Sequence, residues 1–376
     1  MNKILVFIDW FSPAYKAGGP IVSVNNIIEH LSHKFKFYVV TSIHDIDEKE
    51  IVIKKKANTW LIKKKYSVIY LSRSHQKNFF YNYILNEINP DIIYLNSLFS
   101  IRFSILPMLR LKSNKRIILA PRGMLGDGAL KIKSFKKKIF LKIISKLKVY
   151  KKITWHASTK IEKSEIEFFF GQSAKVIVAQ NLSSKISNKS FKTKKNNDDK
   201  LNILFVSRIS KKKNLLFLIH EINNCKRKDK IHLTIIGFAD DISYCDLCLF
   251  YLKKYVISYE FLGSIPQVKL SEYYFKSDVF CLPTLHENYG HVIIEALSHG
   301  LPVIISNNTP WKNLENHSVG FDLKLKANNF CKKIEFFQNM NDSDYSLYSK
   351  NAIKYFEAIN ATDNLINENI NLFALN

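Results

Sequence analysis

Apolar residues along the chain alternate between short continuous runs and stretches with helical spacing. The first run, Lys3–Asp9, is followed by a glycine-containing loop and then by apolar residues at helical spacing over Ile21–Leu31. A strand, a loop and an amphipathic helix in this order predict the opening of a doubly wound α/β domain. The alternation continues and predicts further strands at Phe35–Thr41, Val68–Leu71, Asp91–Asn96, Arg116–Ala120, Thr154–Ala157 and Lys175–Ala179.

A polar stretch, residues 183–200, interrupts this pattern and is predicted to be an interdomain linker. It separates a first domain, residues 1–182, from a second α/β domain, residues 201–345. Helical spacing continues in the last segment, residues 346–376, which is expected to pack back across the domains. A chain of 376 residues is long enough for two domains with separate cores. The strands predicted in the second domain are Leu201–Val206, Ile231–Ile236, Tyr259–Leu262, Asp278–Leu282 and Pro302–Ile305.

The charge of the chain is strongly positive. Its 57 Lys and Arg against 32 Asp and Glu give a formal net charge of +25. This surplus favours acidic partners such as nucleotide diphosphates, nucleic acid or an anionic membrane surface. A biased genome rich in Lys, Asn and Ile explains part of the same surplus.

The chain contains no apolar run of the roughly 18 residues that a membrane span needs. The run Ile4–Ile8 is also too short for a signal sequence, so we expect a cytoplasmic protein. The five cysteines fit this expectation because their number is odd and their spacing shows no disulfide framework. Cys245 and Cys248 form a C-x-x-C pair without a second pair, and they are expected to lie on one helix face rather than to bind metal.

Lys131–Lys152 is the most basic stretch, and its apolar residues interleave with lysines at roughly helical spacing. This pattern is typical of a basic amphipathic helix that lies on anionic lipid, at the inner face of the plasma membrane. An ordinary surface helix with a solvated face gives the same pattern. Nucleic-acid binding is not expected, because the chain shows neither a recognised nucleic-acid-binding motif nor an aromatic platform.

The most informative stretch is Ser277–Trp311. An apolar run stops at Pro283, the polar residues His286–Gly290 follow, and a helix-compatible segment begins at Val292. Glu287 lies in the predicted loop and Glu295 on the predicted helix, with seven residues between them. Both carboxylates can therefore face one site at a helix N-terminus, which suits a phosphate. The bland alternative is a plain strand-loop-helix with both glutamates solvated.

This segment resembles the glutamate-x7-glutamate signature of the retaining glycosyltransferases of family four. The signature, E-G-F/Y-G-x-x-x-x-E-A, stands here as E-N-Y-G-H-V-I-I-E-A, with Asn288 in place of the usual glycine. The resemblance implies that Glu287 binds the hydroxyls of the donor sugar and that Glu295 binds the ribose of the nucleotide. The donor phosphate is implied to contact the backbone amides of Tyr289, Gly290, His291 and Val292.

A second motif, F-V-S-R-I-S-K-K-K-N over residues 205–214, is similar to the family pattern F-x-G-R-x-x-x-x-K-G/N. Arg208 and Lys213 match the two cations that neutralise the donor diphosphate. Negative charge grows on that diphosphate as the glycosyl bond breaks, so fixed cations stabilise the transition state. They are expected to replace the metal that other transferases use, and we expect no cofactor. Asp45-Ile46-Asp47 spells D-x-D but lies far from the other motifs, and we reject it as a metal site.

Three features of the first domain complete the candidate site. Gly18 and Gly19 precede the first helix, and family-four enzymes have a matching loop near the donor diphosphate and the acceptor. Asn96 ends a predicted strand where many relatives have a histidine, and it can hydrogen-bond a sugar hydroxyl. Arg122, in the string P-R-G-M-L, follows another strand; it is expected to pair with a phosphate or, equally, with a structural carboxylate.

The resemblance covers most of the chain and implies the GT-B architecture, in which two doubly wound Rossmann-like domains face each other across a cleft. It implies transfer from a nucleotide-sugar donor to a glycan or polyprenyl-diphosphate-linked acceptor. P-R-G-M-L is similar to the branch that assembles bacterial surface polysaccharides, namely O-antigen, capsule or exopolysaccharide. Two alternatives stay open: a nucleotide-sugar 2-epimerase on the same architecture, and a non-catalytic basic protein that binds membrane or nucleic acid.

Overall fold

The computed structural model describes residues 1–46, 50–51, 56–110, 115–126, 141, 150, 152–184, 191–193, 195, 200–360 and 363–374. Most of the basic stretch Lys131–Lys152 and of the predicted linker 183–200 lies outside these residues. Three residues of the basic stretch are described. Leu141 and Tyr150 are helical and buried in a core of the first unit, and Lys152 is exposed.

The chain divides into two compact units. The first comprises Met1–Leu182 together with Thr362–Asn376, and the second comprises Ser183–Ala361. The chain therefore leaves the first unit, builds the second, and then returns to the first.

The first unit contains a sheet in which the described residues form eight strands in the order β3-β4-β2-β1-β5-β6-β7-β8. Neighbouring strands are parallel except for β3, which runs antiparallel to β4. The sheet is apolar on both faces because alternate residues of β1 enter two separate cores. Its strands are β1 Lys3–Ile8, β2 Lys36–Ser42, β3 Trp60–Ile62, β4 Tyr66–Leu71, β5 Ile92–Asn96, β6 Arg116–Ala120, β7 Thr154–Ala157 and β8 Val176–Val178.

The described helices of the first unit that precede the second unit connect these strands. Their bounds are α1 Gly19–Leu31, α2 Asn78–Ile88, α3 Leu106–Arg110 and α4 Lys160–Phe170. In this sheet the strand order reverses at β1, which has β2 on one side and β5 on the other. Ligands of open α/β sheets bind at the carboxyl ends of the strands that flank such a switch point.

The second unit contains a sheet of six described strands, all parallel, in the order β11-β10-β9-β12-β13-β14. Its switch point lies between β9 and β12. The strands are β9 Leu201–Val206, β10 Ile231–Ile236, β11 Ser258–Gly263, β12 Val279–Leu282, β13 Val303–Ser306 and β14 Gly320–Leu323. The helices are α5 Leu215–Asn223, α6 Ile242–Lys254, α7 Gln267–Lys276, α8 His291–Ser298, α9 Asn329–Asn339 and α10 Asp342–Ile359.

The helical pattern over Ser346–Phe373 corresponds to two helices. Helix α10 belongs to the second unit, and α11 (Asp363–Leu372) belongs to the first. Each predicted strand is present within two residues of its predicted bounds. The strands β3 and β14 were not predicted; β3 is a three-residue, partly exposed edge strand, too short to give a periodic signal.

Candidate active site

The loop that carries Glu287 is closed by a glycine that has little room for a side chain. Gly290 has a φ of +81° and forms the N-cap of α8. A Cβ atom on it would lie 2.8 Å from Cδ1 of Ile293 and 3.1 Å from Cγ of Glu287. Only glycine adopts this backbone conformation at low cost, so the turn packs the Glu287 side chain against the start of α8.

Backbone hydrogen bonds bring the segment that follows β9 alongside this loop. The carbonyl of Lys212 accepts from the Leu285 amide at 2.8 Å and from Thr284 Oγ1 at 3.2 Å. The Glu287 amide donates to the Asn308 carbonyl at 3.0 Å. Three loops, which follow β9, β12 and β13, are therefore tied together at the switch point of the sheet.

Lys213 and Glu287 form an ion pair at this place. Nζ of Lys213 donates to Oε2 of Glu287, and the two side chains are only 13% and 14% exposed. Burial acts to raise the pKa of Glu287, but the positive charges of Lys213 and Lys212 and the hydrogen bond from Lys213 outweigh it. The pKa is therefore held below its usual range, and Glu287 is a carboxylate at neutral pH.

Trp311 fixes the backbone between Glu287 and α8. Its indole Nε1 donates to the Tyr289 carbonyl at 2.5 Å, and the two rings meet edge to face at 5.3 Å. The ring of His291 also packs against the ring of Tyr289, with the ring centroids 4.8 Å apart. All three side chains are buried. Trp311 therefore has a packing role, whereas Asn288 and Val292, on either side, are half-buried.

Glu295 lies one turn further along α8 and faces α7 rather than Lys213. Its carboxylate accepts from Gln267 Nε2 at 3.0 Å and from the Tyr274 hydroxyl at 3.1 Å. Burial raises the pKa of Glu295 to about 7, although both hydrogen bonds oppose the rise. Near neutral pH the group can therefore either donate or accept a hydrogen bond.

Arg208 is paired with a carboxylate that sequence reasoning missed. Its Nη1 lies 3.1 Å from Oδ2 of Asp240, and the two side chains are 42% and 37% exposed. The loops that follow β9 and β10 are joined by a bridge between Ile209 and Ala239, which places Asp240 opposite Arg208. The two predicted cations thus have separate partners.

In the first unit, the predicted glycine loop lies where β1 passes into α1. Gly18 has a φ of +68° and forms the N-cap of α1, and a Cβ on Gly18 or Gly19 would meet no described atom within 4 Å. Asp45 is buried, and its Oδ2 accepts from the amides of Tyr15 and Lys16 at 3.2 and 3.5 Å. Asp45 therefore supports this loop. Asp47, the other half of the D-x-D string, lies outside the described residues.

Asn96 and Arg122 are in direct contact at the carboxyl edge of the first sheet. Oδ1 of Asn96 accepts from Nε and Nη2 of Arg122 at 3.2 and 2.8 Å. Nη1 donates to Asn181 Oδ1 at 2.8 Å, and Nη2 donates to the Tyr94 hydroxyl at 2.7 Å. Of the two alternatives for Arg122, pairing with a structural carboxylate is not found among the described residues.

A neutral chain of hydrogen bonds lies behind Arg122. His156 is buried, with Nε2 at 2.8 Å from the Ala179 carbonyl and Nδ1 at 2.7 Å from the Tyr94 hydroxyl. Because a carbonyl only accepts, Nε2 is the protonated nitrogen and Nδ1 accepts from Tyr94. Burial, helped by the charge of Arg122, lowers the pKa of His156 to about 3, so the ring stays neutral. Burial likewise raises the pKa of Tyr94 to about 12.

One donor in this group has no partner. Nδ2 of Asn96 is buried and has no acceptor among the described residues. A buried unsatisfied donor costs about 1–3 kcal/mol, so this atom is a candidate for contact with a ligand.

Asp9, which sequence reasoning did not select, directly follows β1 at the switch point. Its Oδ1 accepts from Ser100 Oγ at 2.6 Å, and burial raises its pKa to about 6 despite that bond. Ile8 of β1 pairs in register with Asn96 of the neighbouring strand β5. Asp9 therefore lies just beyond the level of Asn96. An acidic residue immediately after a buried strand was the signal that could have found it.

All five cysteines are free thiols and buried. Cys245 and Cys248 both lie on α6, where they pack into the core of the second unit.

A family model matches most of the second unit. Residues 186–355 match the family model described as "Glycosyl transferases group 1". An uncharacterized glycosyltransferase of Methanocaldococcus jannaschii is 30% identical over 123 residues, which cover 32% of this chain and 31% of that protein. The match thus spans about a third of the length of that relative.

Solved structures with the same fold cover the whole chain. Sucrose-phosphate synthase from Thermosynechococcus elongatus superposes with a TM-score of 0.76 at 14% identity, covering 99% of this chain and 98% of that one. Anabaena HepE in complex with UDP and glucose has a TM-score of 0.70 at 13% identity, with the same coverage. No helix of the described residues is long and apolar enough to cross a membrane. The fold is GT-B, as the resemblance to family four predicted, and residues 186–355 match the family model of the glycosyl transferases group 1.

Proposed function

We propose that the protein is a retaining, metal-independent glycosyltransferase that uses a nucleotide-sugar donor. The observation that carries the proposal is the buried Lys213–Glu287 ion pair at the start of α8, inside a glycosyl transferases group 1 domain. HepE, which has the same fold, was solved with UDP and glucose, and this supports a nucleotide-sugar as the donor class.

The second unit would bind the donor. Glu287, kept ionised by Lys213, would accept hydrogen bonds from sugar hydroxyls, and Glu295 would bind the ribose. The positive end of α8 and the cations Lys213 and Arg208 would stabilise the charge that grows on the departing diphosphate. In a front-face reaction the acceptor hydroxyl attacks from the leaving-group side, and a diphosphate oxygen takes its proton. No metal is needed in this scheme because fixed cations supply the charge.

A panel of UDP-, GDP- and ADP-sugars tests the donor class. A ligand that binds only the folded state raises the midpoint of thermal unfolding, so the true donor should stand out. Release of nucleoside diphosphate should then require an acceptor, and Glu287→Ala or Arg208→Ala should lower the rate at least about tenfold. Unchanged turnover in both variants would reject the site. Conversion of the donor without an acceptor would instead support an epimerase.

We further propose that the acceptor is a glycan or a polyprenyl-diphosphate-linked oligosaccharide of a bacterial surface polysaccharide, used at the inner face of the plasma membrane. The support is the P-R-G-M-L string and the basic stretch Lys131–Lys152. Co-sedimentation with vesicles that contain anionic lipid checks the location, with neutral vesicles as the control. Equal binding to both, or to neither, would contradict a basic membrane-contacting surface.

A further inference from the structure

The guanidinium of Arg122 is held in place entirely by uncharged groups. Four hydrogen bonds connect it to Asn96, Asn181 and Tyr94. A guanidinium has five N–H groups, so one N–H of Nη1 is left over. Together with the unpartnered Nδ2 of Asn96, this leaves two neighbouring donors at the same edge of the sheet.

A buried carboxylate that contacts the next residue, Gly123, is committed to other donors. Glu162 accepts from the Gly123 amide at 2.6 Å and from the amide and hydroxyl of Ser158 at 2.8 and 2.7 Å. Arg122 makes no ion pair within the described part of the chain. The neighbours behind it, Tyr94 and His156, are locked as neutral donors and acceptors. Its charge is therefore oriented but not compensated by an ion pair.

The backbone also fixes this side chain in place. Arg122 has a φ of +56° and Gly123 one of +71°, directly after β6. A left-handed conformation is costly for a residue with a Cβ, and such residues cluster at functional sites. Glycine or asparagine would adopt this backbone conformation with less strain. An arginine at this position is therefore consistent with a functional role for its side chain.

We infer that Arg122 and Asn96 form a binding site for a phosphate group of the acceptor. The inference rests on the proposed transferase function and narrows its acceptor to a phosphate-bearing class, such as a lipid-linked diphosphate. An oriented guanidinium with a spare N–H beside an amide donor suits a phosphate oxyanion, which accepts from both. The donor-binding motifs belong to the second unit, whereas this site belongs to the first, and we therefore assign it to the acceptor.

Titration of the full chain with inorganic pyrophosphate, followed by calorimetry, tests the site without requiring turnover. We expect Arg122→Gln to weaken binding about tenfold or more, since the variant loses a charge-assisted hydrogen bond to the anion. Arg73→Gln removes an exposed arginine of the same unit and should leave binding within about twofold of the wild type. Lys213→Ala measures how much of the pyrophosphate binding comes from the second unit. Binding that is lost in Lys213→Ala but kept in Arg122→Gln would overturn the inference.

Asn96→Asp separates a binding role from a structural one. The change is nearly isosteric and gives Arg122 a carboxylate partner within the protein. We expect pyrophosphate binding to be lost while the thermal midpoint stays the same or rises. An Asn96→Asp protein that binds pyrophosphate like the wild type would contradict the inference, whether or not Arg122→Gln folds.

Turnover then distinguishes the acceptor from the donor. With a phosphate-linked acceptor and the same sugar as a neutral alkyl glycoside, Arg122→Gln should raise KM only for the phosphate-linked compound. The KM for the donor should not change. An equal rise for both acceptors, or a rise for the donor alone, would overturn the assignment. Absence of transfer with any acceptor would reject the transferase function, while the pyrophosphate titration would still decide the anion site.

Discussion

Each unit has a cation in a loop that follows a strand of its sheet, but the two units treat the charge differently. In the second unit, Lys213 follows β9 and is neutralised by Glu287, which follows β12. In the first unit, Arg122 follows β6 and is surrounded by uncharged acceptors. A buried charge that is already paired holds a loop in position, whereas an oriented, unpaired charge favours binding of an anion. We therefore expect the same kind of substitution to have different consequences in the two units.

The largest effect is expected for Glu287→Ala. It leaves Lys213, of which 13% of the side chain is exposed, without its partner. Removing one member of a buried pair typically costs about 3–5 kcal/mol, and the free energy of unfolding should fall accordingly in denaturant titrations. Glu272→Ala breaks an ion pair on the exposed surface of the same unit and should leave the unfolding midpoint unchanged. If both variants unfold alike, the Lys213–Glu287 pair does not stabilise the second unit.

The next largest effect concerns the pH dependence of stability through Glu295. Its pKa is about 7 in the folded chain, against an ordinary value near 4.5. The folded state therefore binds more protons between these values, and stability should fall as pH rises from about 4.5 to about 7, by on the order of 2–3 kcal/mol.

Glu295→Gln keeps the side-chain volume and removes this titration. Denaturant titrations at intervals from pH 4.5 to 7.5 should show a smaller decline in the variant than in the wild type. Asp9, whose pKa is about 6, gives a decline of the same sign in both proteins, so only their difference is diagnostic. Identical pH profiles would show that Glu295 titrates normally.

A smaller effect is expected for Tyr94→Phe in the first unit. The hydroxyl donates to His156 and accepts from Arg122, so its loss leaves a buried ring nitrogen unsatisfied. This should cost about 1–2 kcal/mol of unfolding free energy and should also weaken pyrophosphate binding, because Arg122 loses one of its supports. Tyr83→Phe, at a side chain that is 55% exposed, is the matched control. If Tyr94→Phe loses stability but binds pyrophosphate like the wild type, Tyr94 stabilises the first unit without supporting the anion site.

The smallest effect is expected for Asp240→Ala. This change removes the carboxylate partner of Arg208 and makes its surroundings more like those of Arg122 in the first unit. The Arg208–Asp240 pair is well exposed, so its loss should cost less than about 1 kcal/mol. Arg208 would then be unpaired, and affinity for a nucleoside diphosphate should rise, by at most about fivefold. Calorimetric titration with UDP measures this change. Weaker UDP binding in Asp240→Ala would mean that Asp240 orients Arg208 rather than competing for it.

Much of the fold could be predicted from the sequence because both faces of each sheet are covered. Strands such as Arg116–Ala120 and Ile231–Ile236 are rich in isoleucine and leucine, and their bounds were predicted without error. The short edge strand Trp60–Ile62 has no such signal. The break between α10 and α11 also left no clear trace in the helical pattern.

The candidate site residues were selected only where a residue belongs to a local motif. Glu287, Lys213 and Arg208 were selected in this way. The sequence did not show that Lys213 and Glu287 pair with each other, or that Arg208 pairs with Asp240. Asp240 is not part of a recognised motif, and its role depends on a contact between loops 32 residues apart. His156 lies in a short buried strand, and no local pattern in the sequence connects it to Tyr94, 62 residues away.

The return of the chain to the first unit has a consequence for the order of folding. Phe373, which follows α11, packs edge to face on Tyr94 at 5.2 Å, and Asn369 donates to the Gln180 carbonyl at 2.8 Å. During synthesis these residues emerge only after all of residues 183–361, so the second unit has its full set of residues first. The ring beneath the Arg122 site stays uncovered until then, and the anion site is expected to mature only after translation has passed residue 373.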